Sequence, residues 1–335
     1  MSTLNTIAKQ LVAPQKGILA ADESTGTAGK RLASIGVENT EENRQKYREL
    51  LFTTEGFEQY ISGIILFDET IRQSTRDGKF FVDLLQEKGI HAGIKVDMGT
   101  VPFLESSEEV LTKGLDGLGE RLKEYHDFGA TFAKWRAVFT ISETLPSEVC
   151  IQKNAEILAE YAFLCQNVGI VPIVEPEVLM DGPHTIERCF DVTKQVLQMT
   201  FVVLKDRGVQ LDGMLLKPNM VISGTDAGEQ ADVSQIVEMT IACLKEVVPN
   251  DVPGIVFLSG GQSERQACET LNAMNELTDH GPWELSFSYG RALQTSALEA
   301  WGGKEEHVSD AQRAFLHRAM LTSNARSGIY NSAME

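Results

Sequence analysis

Basic residues are too few in this 335-residue sequence to balance the acidic ones. There are 30 Lys and Arg against 48 Asp and Glu, which gives a formal net charge of −18. Nucleic acid and anionic membrane surfaces would be repelled by such a chain, so the charge argues against both as partners. An anionic substrate would also be repelled, unless its binding site supplied cations of its own.

Cysteines and long apolar runs are scarce too. No CxxC pair occurs among the five cysteines, which are Cys150, Cys165, Cys189, Cys243 and Cys268. An odd, scattered set is typical of a reduced cytosolic protein rather than of a disulfide framework. The N-terminal stretch lacks the apolar core of a signal peptide, and no run approaches the length of a membrane span. We therefore expect a cytoplasmic protein with no membrane partner.

The sequence also lacks the common motifs of metal sites and serine nucleophiles. Its six histidines show no HxH or HExxH spacing, and none ends a predicted strand. A GxSxG motif is missing as well. These absences predict no bound metal, and they leave a reactive lysine as the remaining nucleophile. We also expect no cofactor.

Eight short apolar runs are distributed along the sequence. They begin at Gly17, Ile61, His91, Thr131, Gly169, Gly213, Gly254 and Trp283. Each is too continuous to leave one face in water, as expected for parallel strands buried on both sides. Helical patterns lie between them, for example at residues 157–168, 185–206 and 264–274. The spacing averages about 38 residues, which fits one strand-plus-helix unit.

This pattern predicts the α/β class and a single (β/α)8 TIM barrel. We expect one domain over residues 1–335, with a short C-terminal tail from about residue 324. An open doubly wound sheet is the alternative. Pro172 argues against the fifth strand, because a central strand would lose a ladder hydrogen bond there.

Charged residues end most of the predicted strands. The set is Asp22, Lys95, Asp97, Lys134, Arg136, Glu175, Glu177, Lys217 and Arg291. Three i, i+2 pairs among them point to one side of the sheet. Charges inside apolar strands are costly unless paired, so strand ends meeting water do not explain the whole set. Its net charge of +1 predicts an anion pocket at the carboxyl ends of the strands, where barrel active sites lie.

Glycine-rich loops follow the last two predicted strands. LSGGQSER places Gly260 and Gly261 before a helix, and SYGRA does the same with Gly290 and Arg291. Such glycines let backbone N–H groups approach a phosphate, and the start of the helix adds positive potential. We therefore predict a phosphate site there.

Lys217 ends the sixth run in LLKPN, between apolar residues. Desolvation and the nearby cations Lys134 and Arg136 would favour the free amine that attacks a carbonyl. The residues by themselves thus predict a lysine nucleophile beside an anion pocket.

Over nearly its whole length the chain resembles the class I fructose-1,6-bisphosphate aldolase family. The shared motifs are KGILAADEST, TEENR, FAKWR, IVPIVEPE, LLKPNM, LSGGQSE, FSYGRALQ and AWGGK. The resemblance implies reversible, metal-independent cleavage of fructose 1,6-bisphosphate to dihydroxyacetone phosphate and glyceraldehyde 3-phosphate through a lysine Schiff base. It also implies a cytoplasmic homotetramer of glycolysis and gluconeogenesis, whose partners are small sugar phosphates.

The resemblance implies catalytic roles for five residues. Lys217 is similar to the Schiff-base lysine, and Glu175 to the acid/base of imine formation, with Glu177 beside it. Asp22 resembles the residue that takes the C4 hydroxyl proton, and Lys134 a cation close to the reacting carbons. A protonated imine at C2 is an electron sink, so this chemistry agrees with a lysine nucleophile.

The implied binding residues form two phosphate sites, with Arg136 positioning the substrate. The phosphate nearest the ketone is expected at Ser259, Gly260, Gly261, Ser288, Gly290 and Arg291. The other phosphate is expected at Ser24, Thr27, Arg31 and Lys95, with Arg44 as a further candidate.

Two departures from animal members stand out. Met98 takes the place of their usual lysine. Their longer tail brings a terminal tyrosine to the site, whereas this sequence ends in NSAME with Tyr330 as its one tail tyrosine. We expect the last residues to be mobile and dispensable for catalysis. Rival interpretations are another Schiff-base barrel, such as transaldolase or deoxyribose-phosphate aldolase, and an inactive barrel that serves as a scaffold.

Overall fold

The computed structural model describes residues 3–104 and 108–335. Within those ranges the strands are β1 (Gly17–Ala21), β2 (Ile61–Leu66), β3 (His91–Lys95), β4 (Thr100–Pro102), β5 (Val110–Thr112), β6 (Phe132–Phe139), β7 (Val171–Val178), β8 (Leu215–Leu216), β9 (Gly254–Phe257) and β10 (Glu284–Tyr289). The α-helices are α1 (Thr3–Leu11), α2 (Thr25–Ser34), α3 (Glu41–Phe52), α4 (Asp68–Ile71), α5 (Phe81–Glu87), α6 (Leu118–Asp127), α7 (Glu148–Asn167), α8 (Ile186–Asp206), α9 (Val233–Val247), α10 (Glu264–Glu276), α11 (Arg291–Trp301) and α12 (Val308–Arg326).

Eight of these strands close into a parallel barrel in the order β1, β10, β9, β8, β7, β6, β3, β2. The predicted (β/α)8 barrel is confirmed, and each predicted strand corresponds to one strand of the barrel. An antiparallel hairpin of β4 and β5 lies outside it and was not predicted. Each strand of the hairpin has only three residues and β4 is wholly exposed, so the sequence has no apolar run that would have indicated these strands.

Strand β7 contains two prolines, yet it pairs along its full length with β6. In a parallel ladder, alternate residues direct their N–H groups to opposite neighbours. Val178 donates its N–H to Asn219 Oδ1 at 3.0 Å, on the β8 side. Pro172 and Pro176 share that parity, so their missing N–H groups face β8, a strand of only two residues. The sheet therefore loses little pairing at either proline.

The amino-terminal end of the barrel is closed by apolar packing. Helix α1 contributes Leu4, Ala8 and Leu11 to the cluster that fills the barrel interior. Phe132 is fully buried there, and two glycines make room for it and for Leu11. A Cβ on Gly93 would lie 2.2 Å from the Phe132 ring, and one on Gly63 would lie 2.7 Å from Leu11 Cδ2.

Alternate residues of each strand lie on the interior face of the barrel. Along that face the side chains change from apolar to charged. The buried apolar members are Ile18, Ala20, Phe132, Ile173 and Leu215. Four charged residues each follow one apolar residue by two positions. The pairs are Ala20 and Asp22, Phe132 and Lys134, Ile173 and Glu175, and Leu215 and Lys217. Side chains at i and i+2 share a face, so these charges lie on the interior face at the carboxyl ends of the strands.

The C-terminal residues are docked, so the expectation that they are mobile is wrong. Helix α12 continues to Arg326, slightly past the predicted start of the tail. Tyr330 is 5% exposed and packs against the main core. Its N–H donates to Asn272 Oδ1 at 2.9 Å, and its hydroxyl donates to Glu335 Oε1 at 2.7 Å. The tail is anchored to the rest of the fold by the Tyr330 ring, by the hydrogen bond to Asn272 and by the ion pair between Glu335 and Arg318. Its composition gave little sign of this docking.

None of the helices in the described part of the chain combines the length and the apolar character needed to span a bilayer.

Candidate active site

A cavity of about 980 Å³ opens at the carboxyl ends of the barrel strands. Among the described residues, eight cationic and seven anionic side chains line it, which gives a formal charge of +1, whereas the whole chain carries −18. The lining includes most of the predicted site residues: Asp22, Ser24, Thr27, Arg31, Lys95, Lys134, Arg136, Glu175, Glu177, Lys217, Ser259, Gly260, Ser288, Gly290 and Arg291. The cavity is therefore locally basic, as an anionic ligand requires on so acidic a protein.

Lys134 lies at the centre of the charged cluster. Its Nζ is 2.8 Å from Asp22 Oδ2, 3.1 Å from Glu175 Oε2 and 4.0 Å from Asp97 Oδ2. The side chains of Lys134, Glu175 and Asp97 are all at most 5% exposed. The four groups come from four strands: Lys134 from β6, Glu175 from β7, Asp22 from the end of β1 and Asp97 from the end of β3. The cluster therefore forms only when the barrel closes.

The ionisation of this cluster is set by its own charges. Burial by itself would lower the pKa of Lys134, but Asp22, Glu175 and Asp97 outweigh it and raise that pKa. Burial would raise the pKa of Asp22, yet Lys134 and Lys217 hold it well below its usual range. Glu175 follows the same rule: burial raises its pKa, and the ammonium groups of Lys134 and Lys217 lower it further than burial raises it. At neutral pH both carboxylates are ionised and Lys134 is an ammonium.

Lys217 is joined to the cluster through Glu175. Its Nζ lies 3.0 Å from Glu175 Oε1, and the two side chains are 5% and 4% exposed. The backbone N–H of Lys217 donates to the carbonyl of Val174 at 2.8 Å, which fixes the end of β8 against β7. Arg136 contacts Glu177 through a salt bridge next to this pair. An amine and a carboxylate within hydrogen-bond reach have the geometry that a nucleophile and its base require.

The end of β10 and the segments that follow β9 and β10 present polar groups that are not committed to the protein. Ser288 Oγ is buried and has no hydrogen-bond partner among the described residues. The N–H of Gly260 donates to no acceptor in that part of the chain, and the exposed Arg291 guanidinium makes no ion pair there. Buried polar groups are normally paired. The buried Ser288 hydroxyl therefore calls for a partner, and together with the Gly260 N–H and the Arg291 guanidinium it fits an anionic ligand at this side of the cavity.

A second polar region lies across the cavity, where α2 begins. Ser24 caps that helix by accepting from the N–H of Thr27 at 3.4 Å, and the two hydroxyl oxygens are 3.2 Å apart. Lys95 Nζ donates to Asp97 Oδ1 at 2.6 Å and to the Asp97 carbonyl at 2.7 Å. Arg31 completes the region and is paired with Glu23. Hydroxyls, two cations and a helix N-terminus are suited to a second phosphate.

Two predicted residues do not line the cavity. Arg44 is turned away, because its guanidinium forms a bidentate pair with Glu69 at 2.8 and 2.6 Å. Gly261 has a φ of +77°, and a Cβ there would lie 2.7 Å from Ile222. Arg44 is therefore not brought to the cavity in this structure, and Gly261 shapes the loop from behind.

Glu23 lines the cavity and forms, with Arg48 and Gln294 behind it, a group that sequence reasoning missed. The buried Glu23 carboxylate accepts from Arg31 and Arg48, and from Gln294 Nε2 at 3.1 Å. Glu23 lies next to Asp22 in the ADEST motif, which was the one available signal. Arg48 lies inside α3, where an arginine is ordinarily exposed, so its burial at 5% could not be foreseen.

In the described ranges, no three His, Cys, Asp or Glu side chains converge in a way that could hold a metal ion.

Comparison with known proteins gives a consistent result. Residues 3–335 match the family model described as fructose-bisphosphate aldolase class-I. Fructose-bisphosphate aldolase 4, cytosolic, of Arabidopsis thaliana is 57% identical over 95% of this chain and 81% of its own. The fructose-bisphosphate aldolase of Echinococcus multilocularis is 51% identical over 100% of this chain and 93% of its own. The fructose-bisphosphate aldolase of Plasmodium falciparum, solved with TRAP and a small-molecule inhibitor, aligns with a TM-score of 0.96 and 49% identity, covering 98% and 95% of the two chains.

Proposed function

We propose the following roles from the premise that the chain belongs to the class I fructose-bisphosphate aldolase family. The protein cleaves fructose 1,6-bisphosphate reversibly to dihydroxyacetone phosphate and glyceraldehyde 3-phosphate, through a Schiff base and without a metal. Lys217 is the residue that forms the Schiff base. The observation that carries this assignment is the 3.0 Å contact between Lys217 Nζ and Glu175 Oε1 in a buried, locally basic cavity.

Imine formation requires a neutral amine and then the loss of water. Glu175 takes a proton from the Lys217 ammonium, and the amine adds to the C2 carbonyl. Glu175 returns the proton to the carbinolamine hydroxyl, which leaves as water and gives a protonated imine. Glu177 lies beside this path, and its salt bridge with Arg136 supports a positioning role for both. The ammonium of Lys134 keeps the Glu175 carboxylate in place, 3.1 Å away.

Cleavage of the C3–C4 bond uses the opposite side of the cluster. The Asp22 carboxylate accepts the proton of the C4 hydroxyl, whose oxygen becomes the aldehyde oxygen of glyceraldehyde 3-phosphate. The electron pair of the C3–C4 bond moves into the protonated imine and leaves an enamine. Protonation at C3 and hydrolysis by one water release dihydroxyacetone phosphate and regenerate Lys217. Lys134, 2.8 Å from Asp22, orients this carboxylate.

Two phosphate sites hold the substrate across these groups. We assign the phosphate nearest the ketone to Ser259, Gly260, Ser288, Gly290 and Arg291, supported by the unpartnered Ser288 hydroxyl and the free Arg291 guanidinium. We assign the other phosphate to Ser24, Thr27, Arg31 and Lys95, supported by the cap of α2. The two rival Schiff-base aldolases would need only one phosphate site, and an inactive scaffold would not need the complete charged cluster.

Location and assembly rest on the family. The relatives from Arabidopsis thaliana and Pisum sativum are named as cytosolic or cytoplasmic forms, and this chain is assigned to the cytosol on the same ground. We propose a homotetramer because the family forms one. Sedimentation equilibrium tests this, since it should return four times the chain mass. A mass of one or two chains would contradict it.

Borohydride trapping tests the proposed function. Dihydroxyacetone phosphate with borohydride should inactivate the enzyme and attach a three-carbon adduct to Lys217, identified by peptide mapping. Samples with borohydride alone, and a folded Lys217→Met variant with both reagents, should carry no adduct. An adduct on Lys134 or Lys95 would overturn the assignment of the nucleophile. Loss of activity in EDTA that zinc restores would overturn the metal-free mechanism.

A further inference from the structure

Glu23 is a buried carboxylate shared by two arginines on different helices. Its side chain is 5% exposed and contacts Arg31 of α2 through one oxygen and Arg48 of α3 through the other. Gln294 Nε2 donates to the first oxygen at 3.1 Å and to the carbonyl of Ala20 at 2.8 Å. The carboxylate is therefore surrounded by donors from three helices.

The two arginines differ in what else they can reach. Arg31 lines the cavity, its side chain is 22% exposed, and a Cβ on Gly290 would lie 3.4 Å from its Nη2. Arg48 does not line the cavity and its side chain is only 6% exposed. Arg31 can therefore turn towards a bound phosphate, whereas Arg48 is confined to Glu23.

We propose that Arg48 is a positioning residue that keeps Glu23 neutralised, so that Arg31 is free to bind a substrate phosphate. The charges of Glu23, Arg31 and Arg48 add to +1. When Arg31 turns to the phosphate, Glu23 retains the Arg48 guanidinium and the Gln294 amide as partners. Without Arg48, Glu23 would have Arg31 as its one cationic partner. Arg31 would then stay with Glu23, because separating the pair would leave an uncompensated buried charge.

This inference rests on the proposed function for the identity of the ligand, and its own prediction concerns affinity rather than chemistry. Arg48→Met should raise KM for fructose 1,6-bisphosphate, and the Kd for inorganic phosphate, by about tenfold, the effect of losing one charge-assisted contact. The kcat at saturation should change little, because Lys217, Glu175 and Asp22 are untouched. Arg48→Lys keeps a cation next to Glu23 and should recover part of the lost affinity.

A second substitution separates this role from a general structural one. Glu23→Gln removes the charge that competes for Arg31, so adding it to Arg48→Met should bring the phosphate Kd back towards the wild-type value. Glu23→Gln alone should lower that Kd, and it keeps the proposal testable if Arg48→Met does not fold. Arg326→Met is the matched control, because Arg326 is also buried and paired, with Glu284 at the amino-terminal end of β10. It should lower the melting temperature and leave the phosphate Kd unchanged.

The measurements are calorimetric titration with inorganic phosphate, steady-state kinetics and borohydride trapping on the same preparations. A folded Arg48→Met enzyme with unchanged KM and phosphate Kd would overturn the positioning role, as would a double variant that stays as weak as Arg48→Met. Weaker phosphate binding by Glu23→Gln alone would overturn it too. Absence of trapping at Lys217 in the wild type would contradict the proposed function instead, and the phosphate titration would still decide the role of Arg48.

Discussion

The Nζ of Lys134 lies 2.8 Å from Asp22 Oδ2 and so ties a residue on β6 to the carboxylate at the end of β1. The same ammonium lies 3.1 Å from Glu175 Oε2. Of the two carboxylates, only Glu175 also forms an ion pair with Lys217. On the proposed assignment, this buried cation lies between the side of the cavity where the imine forms and the side where the hydroxyl proton is removed.

Removal of the Glu175 carboxylate should slow catalysis far more than it weakens binding. If Glu175 moves protons during imine formation, Glu175→Gln should lower kcat by about 10² to 10⁴, with a smaller change in KM. Steady-state kinetics beside thermal melts are the measurement. A variant with reduced stability but near-normal kcat per folded enzyme would show that the residue is structural.

Asp22→Asn should separate cleavage from imine formation. The amide cannot accept the C4 hydroxyl proton, so cleavage of fructose 1,6-bisphosphate should fall by about 10² to 10⁴. Imine formation with dihydroxyacetone phosphate involves no C4 hydroxyl, so borohydride should still trap that ligand on Lys217. Loss of trapping in a folded Asp22→Asn enzyme would place Asp22 in the imine step and contradict the division of roles.

Arg291 should contribute to binding rather than to the chemical step. Its guanidinium lines the cavity without an ion pair in the described part of the chain. A charge-assisted contact of this kind contributes about 1.5–3 kcal/mol, so Arg291→Ala should raise KM by about tenfold or more. Arg313→Ala, on the exposed face of α12, is the control. Unchanged KM for both the bisphosphate and dihydroxyacetone phosphate would show that Arg291 does not bind phosphate.

The sequence predicted the barrel and the charged cluster because both depend on strand periodicity. Asp22, Lys134, Glu175 and Lys217 each continue the interior face of an apolar strand, so their convergence follows from local pattern and barrel closure. The sequence could not predict the pairings between side chains on helices that are far apart along the chain, because these depend on the tertiary fold. A guanidinium can bind a phosphate or a carboxylate, so the sequence allowed Arg44 to be assigned to a phosphate. Its ion pair with Glu69 is a tertiary contact that the sequence does not reveal.

The buried His184 should make stability depend on pH near neutrality. The residue is 8% exposed, and neither ring nitrogen has a hydrogen-bond partner among the described residues. Burial, and then the positive charge of Arg188, lower the pKa of His184 below its unfolded value of about 6.5. The unfolded state then binds more protons as pH falls below that value, so stability is lost on acidification through this window.

His184→Gln removes that titration, so the melting temperature should fall less steeply between about pH 7 and pH 5. His91, whose pKa is also lowered by burial, leaves a residual slope. His317→Gln, at an exposed position of α12, is the control for replacing a histidine at the surface. A slope identical to that of the wild type in His184→Gln would contradict the prediction.

The docked tail should stabilise the fold without taking part in catalysis. Tyr330 is buried but does not line the cavity, and Glu335 forms an ion pair with Arg318, a residue that is 4% exposed. Truncation after Arg326 removes an aromatic ring from the core and leaves Arg318 without that carboxylate. We expect the free energy of unfolding to fall by about 2–4 kcal/mol, measured by chemical denaturation. At a temperature where the variant is folded, kcat should fall less than about tenfold, below about 1.4 kcal/mol of barrier.

Tyr330→Phe distinguishes the ring from its hydroxyl. The ring stays in place and the hydrogen bond to Glu335 Oε1 is lost, so stability should fall by only about 0.5–1.5 kcal/mol with kcat unchanged. If the truncation left stability unaltered, the docking of the tail would be contradicted. If both variants lost about a hundredfold in kcat, equivalent to about 2.7 kcal/mol, Tyr330 would be acting on the substrate. The barrel residues alone would then not account for catalysis.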